Sequence, residues 1–98
     1  MTEGRRIDCD EPGCIPIREP GDYGKDSSGN WWAKVPANGF PGGILSDHTV
    51  TEHEDGTITV SPSILMPVGD KYRWHGYLER GAWRMLGDSV LRGDGGER

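Results

Sequence analysis

Sixteen glycines and seven prolines are spread through 98 residues, and they interrupt the chain too often for helices to form. No window of about eleven residues keeps apolar side chains at i, i+3, i+4 and i+7 without an intervening Gly or Pro, as an amphipathic helix requires. The nearest approach, Trp83 to Leu91, is short and contains Gly87. Strands tolerate such punctuation, because a run of about four to eight residues between turns is enough. The chain is therefore expected to be all-β, a small β-sandwich or a β-roll of hairpins, loop-rich, with little or no helix.

A chain of this length forms one domain and buries only about 60–65% of its unfolded surface. Leu, Ile, Val and Phe are scarce, which signals disorder when net charge is also high. Here the net charge is only −5, and four Trp and three Tyr compensate, since each aromatic buries on the order of 150–250 Å². The expectation is a single β-rich domain over residues 1–90 with an aromatic core. Residues 19–43 are rich in Gly and Pro and read as a long loop, interrupted by a short strand at Trp31 to Val35. From Val90 onward the composition reads as a flexible tail, placed at 91–98.

Two hairpins are legible. His48 to His53 and Thr57 to Ser61 flank Glu54-Asp55-Gly56, and both arms are β-branched. Asp-Gly supplies the positive φ of a tight turn. Lys71 to Leu78 pairs with Ala82 to Leu86 across Glu79-Arg80-Gly81, where Gly81 suits a type I turn with a G1 bulge. Alternation puts Tyr72, Trp74, Gly76 and Leu78 on one face and Arg73, His75 and Tyr77 on the other. Ile15 to Arg18 reads as a brief extended piece, with Pro16 suited to a sheet edge.

Charge excludes some functions. Eleven Lys and Arg are scattered among sixteen Asp and Glu, with no basic stripe for phosphates, so no nucleic-acid partner is expected. No apolar run approaches the roughly 18 residues of a membrane span, and the N-terminus lacks a signal-type apolar segment. Cytoplasmic residence is the default. The serines occur in no G-x-S-x-G or S-x-x-K setting, the paired carboxylates lie in polar stretches, and no phosphate loop is complete. The chain is read as non-enzymatic.

Three features remain as candidate sites. Cys9 and Cys14 enclose Asp-Glu-Pro-Gly, a spacing that suits a zinc knuckle, in which a tight turn aims two thiolates at one ion. His75 is the preferred third ligand of such a structural zinc, with His48, His53 or Asp88 as the fourth; a buried histidine satisfied by a hydrogen bond is the alternative reading of His75. Two free thiols and a disulfide are the alternatives, the disulfide ranked last for a reducing compartment. His48 and His53 lie five positions apart, on opposite faces of a strand, and read as exposed. Trp31 and Trp32 also point to opposite faces, so one of them is a candidate anchor for a protein partner; burial of both beneath the loop is the alternative.

Asp55 to Ile64, Trp74 to Trp83 and Leu86-Gly87-Asp88, together with Cys9, Cys14, Ser61-Pro62-Ser63, His75 and Gly81, resemble a small uncharacterised domain common in bacteriophages and bacteria, domain of unknown function 6527. Family members often carry a cysteine near the histidine; this chain has Tyr72 and Trp74 there, and Ser89 where some members have Cys. The resemblance implies a viral origin and no particular activity. The leading expectation is a protein-binding module, a structural or accessory phage protein assembled with other virion subunits. The alternatives are an adaptor or inhibitor of a host protein in the host cytoplasm, stapled by a metal, and a small metal enzyme using Cys9, Cys14 and His75.

Overall fold

Short β-branched and aromatic runs separated by Gly and Pro fold as short strands. The computed structural model describes residues 2–91, and every regular element among them is a strand. In chain order these are β1 (Thr2–Glu3), β2 (Arg5–Arg6), β3 (Asp22–Lys25), β4 (Trp31–Lys34), β5 (Gly42–Ile44), β6 (Thr49–Glu52), β7 (Ile58–Val68), β8 (Tyr72–Glu79) and β9 (Ala82–Met85). They form a five-stranded sheet of order β1-β9-β8-β7-β6 and a four-stranded sheet of order β2-β3-β4-β5. The protein is all-β. No helix among the described residues is long and apolar enough to cross a membrane.

Both expected hairpins form, the second with a different turn from the one expected. In β6–β7, Thr49 faces Ser61 and Glu52 faces Ile58. The His53 N–H donates to the Thr57 carbonyl at 2.8 Å, closing a three-residue loop whose last member, Gly56, has φ 88°. That is the pattern of a type I turn followed by a G1 bulge. Asp55 fastens it by accepting from the Thr57 N–H at 3.0 Å and hydroxyl at 2.6 Å. In β8–β9, Glu79 pairs directly with Ala82. Only Arg80 and Gly81 remain in the loop, both left-handed at φ 47° and 79°, as in a type I′ turn. The bulge expected at Gly81 therefore belongs to Gly56, because Glu79 lies within the ladder.

Residues 19–43 contain the expected strand at Trp31, β4, but their remainder is not one long loop. They hold β3, β4 and β5, an antiparallel meander in which Tyr23 faces Ala33 and Trp32 faces Ile44. Ile15 to Arg18 form no strand, and Pro16 is buried, not set on an edge. The segment from Ile7 to Ile17 crosses the outer face of this sheet. A Cβ built on Gly24 would meet the Ile7 backbone and Pro16, and one on Gly42 would meet the Ile17 side chain.

The N-terminal strands tie the sheets together. β1 pairs antiparallel with β9, and β2 runs parallel to β3. The chain changes sheet at Gly4, where a Cβ would lie 2.9 Å from the Gly81 carbonyl oxygen, Trp83 Nε1 and Tyr23. At the other end, Val90 exchanges two backbone hydrogen bonds with Arg73, at 2.8 and 2.9 Å, and Leu91 packs against the core. Ordered structure thus extends past Val90, the point where a flexible tail was expected to start. The remaining tail residues, 92–98, lie outside the described residues.

One core serves both sheets. The four-stranded sheet and its loops give it Tyr23, Ala33, Val35, Phe40 and Leu45, and the five-stranded sheet gives Ile58, Val60, Ile64, Trp74, Leu78 and Trp83. Trp74 and Trp83 meet edge to face, centroids 5.4 Å apart at 86°, a geometry the ring quadrupole favours. Aromatic side chains thus supply the bulk that the few aliphatic residues cannot.

Candidate functional site

Strand β4 sends Trp31 and Trp32 to opposite faces. Trp31 shares its face with the buried Ala33 and packs against the core. Its ring is covered by the Arg6 guanidinium at 5.0 Å and the Lys25 ammonium at 5.1 Å. Arg6 is itself fixed by ion pairs with Asp8 at 3.0 Å and Glu52 at 2.7 Å. Trp31 is thereby half-buried and engaged by its own chain.

Trp32 points outward and is half-buried. Its indole N–H donates to Asp26 at 2.9 Å, and the same carboxylate accepts from the Ser28 and Asn30 N–H groups. The Trp32 donor, followed by the Asn30 and Ser28 amides, holds the Asp26 carboxyl below its ordinary range. Directly across the ladder stands Ile44, 44% exposed. Ile15, 50% exposed, belongs to the segment crossing the same face. A neighbouring groove is lined by Asp8, Asp10 and Asp26 with Lys25 as its basic member. The outer face of the four-stranded sheet therefore pairs outward apolar groups with acidic ones.

The cysteine turn forms as its Pro12-Gly13 pair implies: the Cys14 N–H donates to the Glu11 carbonyl at 3.2 Å, and the Cys9 N–H to Lys25 at 2.9 Å. The sulfurs aimed together are bonded to each other, as a Cys9–Cys14 disulfide with Cα atoms 5.9 Å apart. That spacing lies within the bridging range of about 4.4–6.8 Å. In this form the pair offers no thiolates to a zinc ion. His75 is not brought to the pair, since its ring nitrogens bond Ser63 and Asp88. Among the described residues no group of three or more His, Cys, Asp or Glu is arranged to hold a metal.

His48 and His53 are half-buried and engaged with β7, where exposure was expected. His48 Nε2 donates to the Ser63 carbonyl at 3.2 Å. A carbonyl only accepts, so Nε2 carries the proton and Nδ1 is bare; Nδ1 is buried without a hydrogen-bond partner. His53 Nε2 bonds the Thr59 hydroxyl at 2.7 Å.

His75 stands on the outer face of β8, opposite the buried Trp74. Its Nδ1 lies 3.0 Å from both carboxylate oxygens of Asp88. A carboxylate accepts, so Nδ1 donates, and in the neutral imidazole Nε2 is then the acceptor. Nε2 lies 3.0 Å from Ser63 Oγ, whose hydroxyl donates to it. The Ser89 hydroxyl accepts from the His75 N–H at 2.9 Å and donates to the His75 carbonyl at 3.0 Å. These two hydrogen bonds to the β8 backbone set the turn that presents Asp88. The His75 hydrogen bond is the first cause holding the Asp88 carboxyl below its ordinary value, and the Arg73 charge adds to it.

Sequence reading took His75 as a metal ligand or a buried hydrogen-bonded histidine and Asp88 as a possible fourth ligand, and gave Ser63 no chemical role. The available signal was parity: Ser63 and Leu65 alternate with the buried Ile64, on the face that carries His75. No family model, curated protein or solved structure matches the chain.

Proposed function

We propose that the domain is a non-enzymatic protein-binding module, a structural or accessory component of a bacteriophage particle that packs against another virion subunit. The outer face of the four-stranded sheet is the contact surface. The supporting observation is the cross-strand pair of Trp32 and Ile44, outward and beside the groove of Asp8, Asp10 and Asp26. Indole and aliphatic groups supply desolvation at the centre of a contact, where Trp is enriched. The carboxylates select a partner with a basic rim, through charge complementarity that steers encounter. The phage assignment rests on the resemblance of the hairpin region. The host-adaptor alternative with a metal staple is less favoured, because Cys9 and Cys14 are joined to each other.

The experiment uses purified particles of the virus that encodes the chain. Mass spectrometry is expected to find the chain as a particle component. Hydroxyl-radical footprinting is expected to oxidise Trp32 and Ile44 several-fold more slowly in the particle than in the isolated domain. Absence from the particle, or unchanged labelling of both side chains, overturns the reading.

A further inference from the structure

The outer face of the five-stranded sheet carries an array that the binding reading does not use. Ser63, on β7, precedes by two residues Leu65, the direct partner of His75 on β8. Ser63 and His75 are thus diagonal neighbours on one face, close enough for the hydrogen bond at 3.0 Å. Asp88 comes from the turn after β9, which Ser89 and Val90 clamp to the β8 backbone. The three side chains come from separate elements, and each is restrained by a contact outside the array. The Ser63 carbonyl is held by His48 at 3.2 Å, and the His75 backbone is held by Ser89.

We propose that Ser63 is an activated nucleophile, with His75 as its general base and Asp88 as the group that orients that base, and that it accepts an acyl group from small activated esters. The chemistry follows from the two partners of the His75 ring, a carboxylate at Nδ1 and a hydroxyl at Nε2. Asp88 fixes the tautomer with hydrogen on Nδ1, leaving the Nε2 lone pair directed at the Ser63 hydroxyl. This is the division of labour by which a Ser-His-Asp array works, recognised by geometry and not by chain order. As Ser63 Oγ adds to the ester carbonyl, its proton passes to His75 Nε2. The tetrahedral adduct then collapses: the bond from carbon to the leaving oxygen breaks, and the proton on Nε2 goes to that departing oxygen. The products are acyl-Ser63 and the free alcohol or phenol, with no change of oxidation state.

The surroundings narrow the substrate. Leu65 is 55% exposed and the Asp88 side chain 51% exposed, so the array lies on an open sheet face. Such a face favours compact esters with good leaving groups. The inference stands apart from the virion-contact reading, since it concerns the other sheet and a covalent readout.

The probe is p-nitrophenyl acetate, added to the full chain, with the acetylated residue located by peptide mass spectrometry. Ser27, Ser28 and Ser61 are exposed serines of the same chain and serve as internal references. Ser63 is expected to acetylate about 10²-fold faster than these, the lower end of general-base assistance. His75→Gln, which lacks a basic nitrogen, is expected to abolish that advantage. Asp88→Asn is expected to reduce it about tenfold, with the folded state of each variant checked by near-ultraviolet circular dichroism. Acetylation of Ser63 no faster than the reference serines overturns the proposal, as does undiminished reaction in folded His75→Gln. Should His75→Gln fail to fold, the comparison within the unaltered chain still decides.

Discussion

The indole N–H of Trp83, on β9 of the five-stranded sheet, donates to the carbonyl of Gly21, at the entrance to β3 of the four-stranded sheet, at 3.0 Å. Trp83 is 1% exposed, so neither group has water as an alternative partner. One side chain thus fills the core between the sheets and also bonds one sheet to the approach of the other. Replacing it with Phe keeps a ring but removes the donor, leaving the Gly21 carbonyl with the Arg5 N–H at 3.2 Å as its partner. Trp83→Phe is expected to cost about 1–2 kcal/mol, combining one lost hydrogen bond with lost packing. Urea denaturation followed by circular dichroism measures this; a cost near zero would show that the bond is dispensable.

Asp22 is the buried carboxylate of the core margin, 2% exposed. It accepts from the Glu19 N–H at 2.8 Å, the Arg18 N–H at 3.0 Å and Arg5 Nε at 3.4 Å. Burial alone would raise its pKa, but the two amides and then Arg5 outweigh burial and lower it from 3.8. With the folded value depressed, the stabilisation is fully present above the unfolded value. It is lost as pH falls below 3.8 toward the folded value, where the unfolded chain binds the proton first. Asp22→Ala is expected to cost about 2 kcal/mol at neutral pH. Stability measured against pH should fall less steeply below this point in Asp22→Asn than in the unaltered protein.

The hairpins were readable because their signals are local: β-branched runs around Asp55-Gly56 and alternating aromatics around Arg80-Gly81 need no distant partner to declare themselves. Turn type was not, since it depends on whether Glu79 joins the ladder, which is a matter of register. Strand β3, with Asp22, Tyr23, Gly24 and Lys25, has a single large apolar side chain and becomes a strand through pairing with β2 and β4. The cysteine turn was legible as a turn that converges two sulfurs, but convergence alone does not distinguish a shared metal from a shared bond. The Ser63–His75–Asp88 array has separations of 12 and 13 residues along the chain. No linear motif spans it; only the pairing of β7 with β8 and the return of the chain after β9 assemble it.

The Cys9–Cys14 bridge closes a short loop, with a sequence separation of 5. Chain-entropy arguments give such a loop about 2 kcal/mol, which for a domain of this size corresponds to a Tm change of about 10 °C. The neighbouring backbone is held independently, through the Ile7 and Cys9 amides to Tyr23 and Lys25 at 2.8 and 2.9 Å. Reduction is therefore expected to lower Tm without unfolding the protein at room temperature. Thermal melts with and without a phosphine reductant, with free thiols counted in each sample, check this. An unchanged Tm in fully reduced protein would assign the bridge no stabilising role.

Arg80 occupies a left-handed conformation, φ 47°, at the first position of the β8–β9 turn. For an L-residue with a long side chain this region costs about 1–2 kcal/mol, and Asn tolerates it best among residues other than Gly. The Arg80 N–H to Thr59 hydroxyl bond, 3.0 Å, is made by the backbone and survives substitution. The side chain itself is exposed. Arg80→Asn is accordingly expected to stabilise the protein by about 0.5–1 kcal/mol, whereas Arg80→Val, β-branched and ill suited to positive φ, should destabilise it. Equilibrium denaturation of the two variants beside the unaltered chain gives both signs, and a stabilising valine would mean that the turn is not of the I′ type.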